Sequence, residues 1–325
     1  MRIGTRRSAL ALAQAQQVAQ LLRARAGIER CELVGAVTGG DRGAGAAEKS
    51  RWVDELERAL SAGEIDLAVH SAKDVPGELG DGLELLGAPA RAAAEDVLCG
   101  AGSLEELRAG ARVGTSSVRR VAQLRAVRED LEVTPLRGNV DTRLRKLAAS
   151  SAQGDGDPAE RLDAIVLARA GLQRLGLEAE VGGTLEPERF VPAPGQGLLA
   201  LEGRAGDERA REAVAAITDA DAFACLRAER ALARALGASC HTPLGAHAVP
   251  AGGGCLLLRA WVGLPDGSQW IGDELAEAGT RADGARPPAA VGGCCDPREL
   301  GRRVAERLLA VGAADLLARA EAMAG

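Results

Sequence analysis

The sequence predicts an α/β protein made of three units. Short apolar stretches of the type that forms buried strands alternate with stretches of helical periodicity, which is typical of α/β sheets. This alternation restarts after Pro89 and again after Asp219. A chain of 325 residues divided in this way gives units of about 100 residues, the usual size of a domain.

Composition and charge narrow the class of protein. Hydrophobic residues make up 46% and charged residues 26% of the chain, as in a globular protein with real cores. The 40 basic and 46 acidic residues give a net charge of −6, which argues against a general nucleic-acid binder. The amino terminus lacks the apolar region of a signal peptide, and no window has the length of a membrane span. Seven cysteines form no zinc pattern with the three histidines, so we expect reduced thiols in the cytoplasm and no metal.

The first unit alternates strands and helices from its first residues. We expect these elements at Arg2–Thr5 (strand), Ser8–Ala26 (helix), Glu32–Thr38 (strand), Trp52–Leu60 (helix) and Ile65–His70 (strand). Residues 39–47 are rich in glycine and alanine, which indicates a mobile loop. This order of elements predicts a largely parallel sheet.

The second and third units continue the pattern. Strands are predicted at Asp96–Cys99, Ala111–Gly114, Leu131–Pro135 and Asp163–Ala168, with helices beginning at Ser117, Asn139 and Ala170. Polar residues 150–157 indicate a surface loop, and an apolar strand is expected at Leu198–Leu201. In the third unit we expect a helix at Phe223–Leu236, strands at Cys255–Val262 and Gln269–Gly272, and one terminal helix at Pro297–Ala320.

The stretch V-G-T-S-S-V-R-R at residues 113–120 predicts a strand, a tight turn and the start of a helix. It supplies hydroxyls and guanidinium groups at that junction: Thr115, Ser116, Ser117, Arg119 and Arg120. With the free N–H groups of the helix start, they would form a cradle for a carboxylate or a phosphate. An ordinary capped helix with two solvated arginines explains this stretch equally well.

Two further strand-to-helix junctions and one charged turn repeat the arrangement. The motif A-V-H-S-A-K-D-V-P places Ser71, Lys73 and Asp74 at the carboxyl end of a buried strand, where open α/β sheets bind ligands; a merely solvated turn is the alternative. The other junctions contribute Arg6 and Ser8, and, in L-R-G-N-V-D-T-R-L, Arg137, Gly138, Asn139 and Arg143. So many arginines at one end of the sheets suggest a ligand with several carboxylates.

A bend and a loop complete the set of motifs. The bend V-P-A-P-G-Q-G suits a hinge between domains, with Gln196 exposed to the crevice, although a Pro/Gly linker needs no function. The loop G-A-S-C-H-T-P-L-G places Cys240 beside His241 among small residues, where a free thiol can act as a nucleophile. We interpret the other six cysteines as inert filler.

Together these motifs, in this order, closely resemble the porphobilinogen deaminase (hydroxymethylbilane synthase) family over most of the chain. The resemblance implies a three-domain α/β enzyme whose first two domains resemble the lobes of a periplasmic-type binding protein. The third is then a small α/β domain that carries a covalent cofactor. The expected boundaries are 1–92 plus 196–217 for domain one, 93–195 for domain two and 218–325 for domain three.

The resemblance also implies an activity. Members of the family join four porphobilinogen molecules head to tail, with release of ammonia, into the linear tetrapyrrole hydroxymethylbilane. The chain grows on a dipyrromethane primer, which the resemblance attaches through a thioether to Cys240, and Asp74 matches the catalytic carboxylate. The positions that match cofactor- and substrate-binding residues are Arg6, Ser8, Lys49, Ser71, Lys73, Thr115, Ser116, Ser117, Arg119, Arg120, Arg137, Gly138, Asn139, Arg143, Arg174 and Gln196. The family resemblance favours a monomer with no nucleic-acid or membrane partner.

One segment departs from the family pattern. The loop T-G-G-D-R-G-A-G-A-A-E-K-S-R-W is short and lacks the family's first arginine and earlier lysine, while Lys49 matches the later lysine and Trp52 replaces a phenylalanine. We expect this departure to change how the loop closes and how fast the reaction runs. We expect activity to remain, because Asp41, Asp74 and Cys240 are present.

Two alternatives to the enzyme of this family stay open. Two α/β lobes with an arginine-lined crevice would also serve as a non-enzymatic binding module for a polycarboxylate. A thiol enzyme that uses Cys240 with His241 as its base would require the two side chains to be oriented as a pair.

Overall fold

A computed structural model of the protein describes residues 1–35, 47–152, 161–239, 241–252, 255–278 and 296–324. The predicted loop at 39–47, apart from its last residue, lies outside the described residues, as do most of the predicted loop at 150–157 and Cys240. Lys49 and Trp52 belong to a described helix, but their side chains also fall outside the description.

Strands and helices are numbered separately in chain order. The described strands are β1 (Arg2–Thr5), β2 (Glu32–Gly35), β3 (Leu67–Ser71), β4 (Leu83–Gly87), β5 (Asp96–Cys99), β6 (Arg112–Gly114), β7 (Glu132–Thr134), β8 (Ala164–Ala168), β9 (Gly183–Leu185), β10 (Leu199–Arg204), β11 (Leu244–Gly252), β12 (Cys255–Gly263) and β13 (Trp270–Ala278). The described α-helices are α1 (Ala9–Arg25), α2 (Ala47–Ser61), α3 (Val118–Val127), α4 (Val140–Ala152), α5 (Arg169–Leu175), α6 (Glu208–Ala215), α7 (Ala220–Ala235), α8 (Pro297–Ala310) and α9 (Ala313–Ala324).

The first lobe is built on a sheet with the strand order β2-β1-β3-β10-β4. Strands β1, β2 and β3 are parallel, whereas β10 runs antiparallel between β3 and β4. Because β10 follows the whole second lobe in sequence, the chain crosses between the lobes twice. We call residues 88–95 the first crossing and residues 186–198 the second crossing.

The second lobe repeats this topology with the strand order β7-β6-β8-β5-β9. Its strands β6, β7 and β8 are parallel, and β5 runs antiparallel between β8 and β9. In both lobes the parallel strands end where the predicted motifs begin, since β1 ends at Thr5, β3 at Ser71 and β6 at Gly114. The carboxyl ends of such strands are where open α/β sheets form their binding sites.

The third unit is an antiparallel sheet with the order β11-β12-β13, against which α7, α8 and α9 pack. Its core consists of small and aliphatic side chains, among them Leu232, Leu258 and Leu308, each fully buried. The prediction of an α/β protein with three units is therefore confirmed.

Several predictions of local structure were wrong or incomplete. The sheet of each lobe is largely parallel, but one strand in each, β10 or β5, runs antiparallel to the other four, which was not predicted. Strands β4, β9 and β11 and helix α6 were not predicted; β11 contains Pro250, which an edge strand tolerates because one side of its ladder is unpaired. The predicted terminal helix breaks at Gly312, whose φ of +97° ends α8 in the left-handed region.

His247 on β11 is a buried histidine with an exposed fraction of 7%. The positive charges of Arg91 and Arg259 are close enough to act on it. Burial lowers the pKa of His247 to about 3, and the two arginines add to this effect because they repel an imidazolium. His247 is therefore neutral at physiological pH.

We predict a pH-dependent stability from this histidine. The unfolded chain takes up a proton at His247 near its ordinary pKa of 6.5, whereas the folded chain does so only at about 3. Stability is thus lost as pH falls through this window, by up to about 1.4 kcal/mol per pH unit. Urea unfolding at a series of pH values from 6.5 downward should show a shallower loss for His247→Gln than for the wild type. Equal slopes for the two proteins would contradict the assignment.

Candidate active site

The turn that follows β3 carries the predicted catalytic carboxylate. Ser71 ends the strand, and residues Ala72–Asp74 form one 3-10 turn, in which Lys73 is exposed and Asp74 is half-buried. The Ser71 hydroxyl lies 2.7 Å from Nε2 of Gln14, a side chain on α1 with an exposed fraction of 3%. The turn is thus fixed to the first helix at its beginning.

The second crossing closes directly on this turn. A Cβ atom on Gly195 would lie 2.8 Å from the carbonyl carbon of Ala72 and 2.9 Å from the amide nitrogen of Lys73, so only glycine permits the approach. Gly195 also has a φ of +77°, which other residues rarely adopt. The P-G-Q-G bend and the S-A-K-D turn, far apart in sequence, therefore form one surface.

A buried carboxylate that sequence reasoning missed lies behind this surface. Asp96, the first residue of β5, is fully buried and accepts from Arg119 Nη2 at 2.6 Å, from Arg120 Nη2 at 2.7 Å and from Gln196 Nε2 at 2.9 Å. Burial alone would raise the pKa of Asp96, but the two guanidinium groups outweigh burial and hold it well below its usual range. The charge at Asp96 thus draws three predicted site residues together.

This cluster corrects two expectations. Arg119 and Arg120 are 4% and 5% exposed, so the alternative of two solvated arginines is wrong. Gln196 is 1% exposed, and its amide also donates to the carbonyl of Ala94 at 2.6 Å, so its predicted exposure to the crevice is wrong as well. The physical reason is that a carboxylate withdrawn from water needs several donors, and these side chains supply them.

Two other predicted arginines remain cationic and without such a partner. Arg143 Nε donates to the carbonyl of Gly138 at 2.7 Å, and Arg174 Nη2 donates to the carbonyl of Gly197 at 2.8 Å. Among the described residues neither forms an ion pair with a carboxylate. Burial lowers the pKa of each to about 10, and Arg120 contributes to the shift of Arg143. Both still carry a full charge at neutral pH, a state that suits an incoming carboxylate.

The other predicted site residues lie at the strand ends. Ser8 caps α1, since its hydroxyl accepts from the Ala11 amide at 3.3 Å, and half-buried Arg6 precedes it. Thr115 is buried and accepts from the Ser117 amide at 3.3 Å; Ser117 itself takes the N-cap position of α3 without a side-chain cap. The exposed members of the set are Ser116, Arg137, Gly138 and Asn139.

The described cysteines are free, and two of them are poor nucleophiles. Burial raises the pKa of the Cys99 thiol to about 11 and that of Cys225 to about 12, in agreement with their interpretation as filler. Cys240 itself falls between two described residues, Ser239 and His241. The Ser239 amide donates to Thr242 Oγ1 at 2.9 Å, and the His241 amide donates to Ser239 Oγ at 3.2 Å, so hydroxyls organise both flanks of the loop.

Comparison with known families agrees with this arrangement. A family described as porphobilinogen deaminase, dipyromethane cofactor binding domain, matches residues 1–212, and its C-terminal domain matches residues 223–310. The chain belongs to the porphobilinogen deaminase family. Porphobilinogen deaminase from Thiobacillus denitrificans is 42% identical over 97% of each chain, and the enzyme from Thermus thermophilus is 41% identical over 98% of each.

Solved structures give weaker matches. A periplasmic substrate-binding protein of an ABC transporter from Coxiella burnetii is 14% identical, with a TM-score of 0.38 over 67% of this chain and 91% of that one. The methionine-binding protein MetQ is 15% identical, with a TM-score of 0.39 over 67% and 89%. In the described ranges, no helix combines the length and the apolar character needed to cross a membrane.

Membership of the porphobilinogen deaminase family confirms the resemblance inferred from the six motifs. It favours an enzyme over the alternative of a binding module. The roles of the individual site residues stay predictions.

The Asp96 cluster yields a prediction about stability. Asp96→Asn leaves two buried guanidinium groups without their counter-ion, so we expect a loss of about 3–5 kcal/mol in the free energy of unfolding. Asp130→Asn is the matched control, since Asp130 pairs with Arg128 near the surface at 2.7 Å and such pairs contribute about 1 kcal/mol or less. Urea unfolding of both variants measures the difference. Similar losses for both would show that Asp96 does not organise the cluster.

Proposed function

We propose that the protein is a hydroxymethylbilane synthase, a transferase that joins four porphobilinogen molecules head to tail and releases ammonia at each step. Family membership supports the reaction. The observation that carries the proposal is the bend at residues 195–197, which both lobes contact. The Asp74 turn of the first lobe packs on Gly195, and Arg174 of the second lobe donates to Gly197 at 2.8 Å.

The residues around this bend fit a polycarboxylate. Arg143 and Arg174 are half-buried cations that pair with no carboxylate in the described part of the chain, and Arg174 Nε has no hydrogen-bond partner there. We infer that a dipyrromethane, attached through a thioether to Cys240, is held by these arginines together with Arg6. When bound, this group supplies the pyrrole end to which the first substrate is joined.

The same arginines serve the substrate. Each porphobilinogen carries an acetate and a propionate, so the growing chain gains two negative charges in each cycle. A planar guanidinium meets a carboxylate with two parallel hydrogen bonds, each worth about 1.5–3 kcal/mol when one group is charged. Partial withdrawal of Arg143 and Arg174 from water strengthens the attraction, because fewer water molecules compete for them.

Asp74 acts where positive charge develops. Loss of ammonia from the aminomethyl group leaves a cationic pyrrole, and a carboxylate held beside the pyrrole N–H stabilises that charge and polarises the N–H bond. Lys73, the preceding residue, is exposed and adds a positive charge to the same turn. The close contact of Gly195 with Ala72 and Lys73 supports the turn that carries Asp74, and a carboxylate fixed beforehand stabilises developing charge most effectively.

We propose further that the protein is a cytoplasmic monomer without a nucleic-acid partner. Its domains comprise residues 1–92 plus 196–217, residues 93–195 and residues 218–325. The two crossings then act as a hinge between the first two domains, which makes room for the growing chain. The insertion of β10 between β3 and β4 supports these bounds, because β10 follows the second crossing in sequence but belongs to the sheet of the first lobe.

Replacement of the catalytic carboxylate tests the proposed chemistry. Asp74→Asn keeps the shape of the side chain but removes its charge, so we expect turnover to fall by about 100- to 1,000-fold while the fold is retained. Asp81→Asn, an exposed carboxylate a few residues further along, is the matched control and should keep full activity. Substantial turnover by Asp74→Asn would remove Asp74 from the mechanism.

Intact mass spectrometry tests the covalent cofactor. We expect the purified wild type to exceed its polypeptide mass by two linked pyrrole units, and Cys240→Ser to lack this excess. Cys255→Ser, another cysteine of the third unit, should retain it. If the wild type shows a bare polypeptide mass even after incubation with porphobilinogen, the thioether proposal is wrong and a binding module becomes the better explanation.

A further inference from the structure

The segment that follows Asp74 is held by one guanidinium group from the third unit. Arg230 on α7 donates to three successive carbonyl oxygens: that of Val75 at 3.3 Å, that of Pro76 at 2.7 Å and that of Gly77 at 2.9 Å. The first of these carbonyls belongs to the residue directly after Asp74. The contact therefore begins where the 3-10 turn ends.

The guanidinium group of Arg230 stabilises an arrangement of carbonyl groups that would otherwise be unfavourable. Three carbonyl oxygens that point to one place repel each other, and Pro76 has no N–H with which to build a local turn. A guanidinium group offers five donors in a fixed plane, so it can hold all three oxygens at once. Burial lowers the pKa of Arg230 to about 10, which leaves the group charged at neutral pH.

The neighbouring residue on α7 holds the other wall of the site. Glu229 is fully buried and accepts from the amide of Gly195 at 2.6 Å. Gly195 is the residue that packs on Ala72 and Lys73. Two consecutive residues of α7 thus bind the surroundings of Asp74. Glu229 binds the bend at Gly195, and Arg230 binds the segment that follows Asp74.

Helix α7 also leads directly to the loop that contains Cys240. It ends at Ala235, and the hydrogen-bonded flanks of the loop begin at Ser239. A rigid helix fixes the distance between its carboxyl end and the backbone groups that its side chains bind. Helix α7 therefore holds the segment after Asp74 and also leads into the loop of the cysteine.

We propose that Arg230 is a positioning residue for the reaction, which aligns the Asp74 carboxylate with the loop of Cys240 by clamping the carbonyls of residues 75–77. The proposal rests on the proposed role of Asp74. It assigns to α7 a function beyond its place in the core of the third unit. Loss of the clamp frees the segment, and displacement of a catalytic group by about 1 Å lowers a rate by about 100-fold.

Arg234, one turn further along α7, provides the matched control. It pairs with Glu78 at 2.6 Å, so it joins the same helix to the same segment through one ion pair. Both side chains of this pair are largely exposed, Arg234 at 53% and Glu78 at 77%, and such a pair contributes little. A general anchoring of the segment would make both arginines matter; a clamp on the carbonyls makes only Arg230 matter.

The test compares holoenzyme preparations of Arg230→Ala, Arg230→Lys and Arg234→Ala. For Arg230→Ala we expect kcat to fall by about 10- to 100-fold with KM nearly unchanged, and hydrogen exchange of residues 75–80 to accelerate. Arg230→Lys should recover part of kcat, because an ammonium group holds fewer of the carbonyls. Dilute guanidinium ion should raise the rate of Arg230→Ala, and Arg234→Ala should match the wild type.

Each outcome bears on the proposal. A kcat for Arg230→Ala equal to that of Arg234→Ala, or unchanged exchange in residues 75–80, would overturn it. Should Arg230→Ala fail to fold, Arg230→Lys decides, because wild-type kcat and exchange in that variant would also overturn the clamp. The exchange measurement does not depend on Asp74, so a fully active Asp74→Asn would refute the catalytic role while the clamp itself stayed measurable.

Discussion

Two of the buried carboxylates, those of Asp96 and Glu229, are withdrawn from water at the crossings between the lobes, and each requires several donors. The donors come from different parts of the chain. Those of Asp96 are Arg119, Arg120 and Gln196, and those of Glu229 are Arg91 and the amides of Gly195 and Ala248. Both crossings, the second lobe and the third unit therefore meet around two buried charges. Because an unpaired charge there would cost several kcal/mol, these contacts hold the two crossings against the second lobe and the third unit.

Gln196 links the two charges. Its side chain donates to Asp96 at 2.9 Å, while its backbone carbonyl accepts from Arg91 Nε at 3.0 Å, and Arg91 in turn pairs with Glu229 at 2.7 Å. The bend at Gln196 is thus held from both sides, and the Asp74 turn packs on its first glycine. Buried charge pairs thus fix the bend, whereas Arg143 and Arg174 donate only to backbone carbonyls and pair with no carboxylate among the described residues.

The sequence predicts well those features that depend on neighbours in the chain. Strand ends, helix starts and the placement of Ser71, Lys73 and Asp74 at a carboxyl end follow from local patterns, and six motifs in order were enough for the family. Features that depend on distant partners were missed. Asp96 begins the apolar run D-V-L-C and resembles an exposed strand start, yet its partners lie 23, 24 and 100 residues away. A Pro/Gly bend predicts an exposed Gln196, because the local sequence contains no signal that the bend packs on Ala72.

The insertion of β10 into the first sheet has a consequence for the order of assembly during synthesis on the ribosome. The second lobe is contiguous, since its strands β5 to β9 occupy residues 96–185, so it can close while later residues are still being added. The first lobe cannot, because β10 lies between β3 and β4 and leaves a gap in the sheet until residues 199–204 have emerged. The lobe that is made first is therefore completed second, and the Asp74 turn at the end of β3 takes its final neighbours only after the second lobe exists.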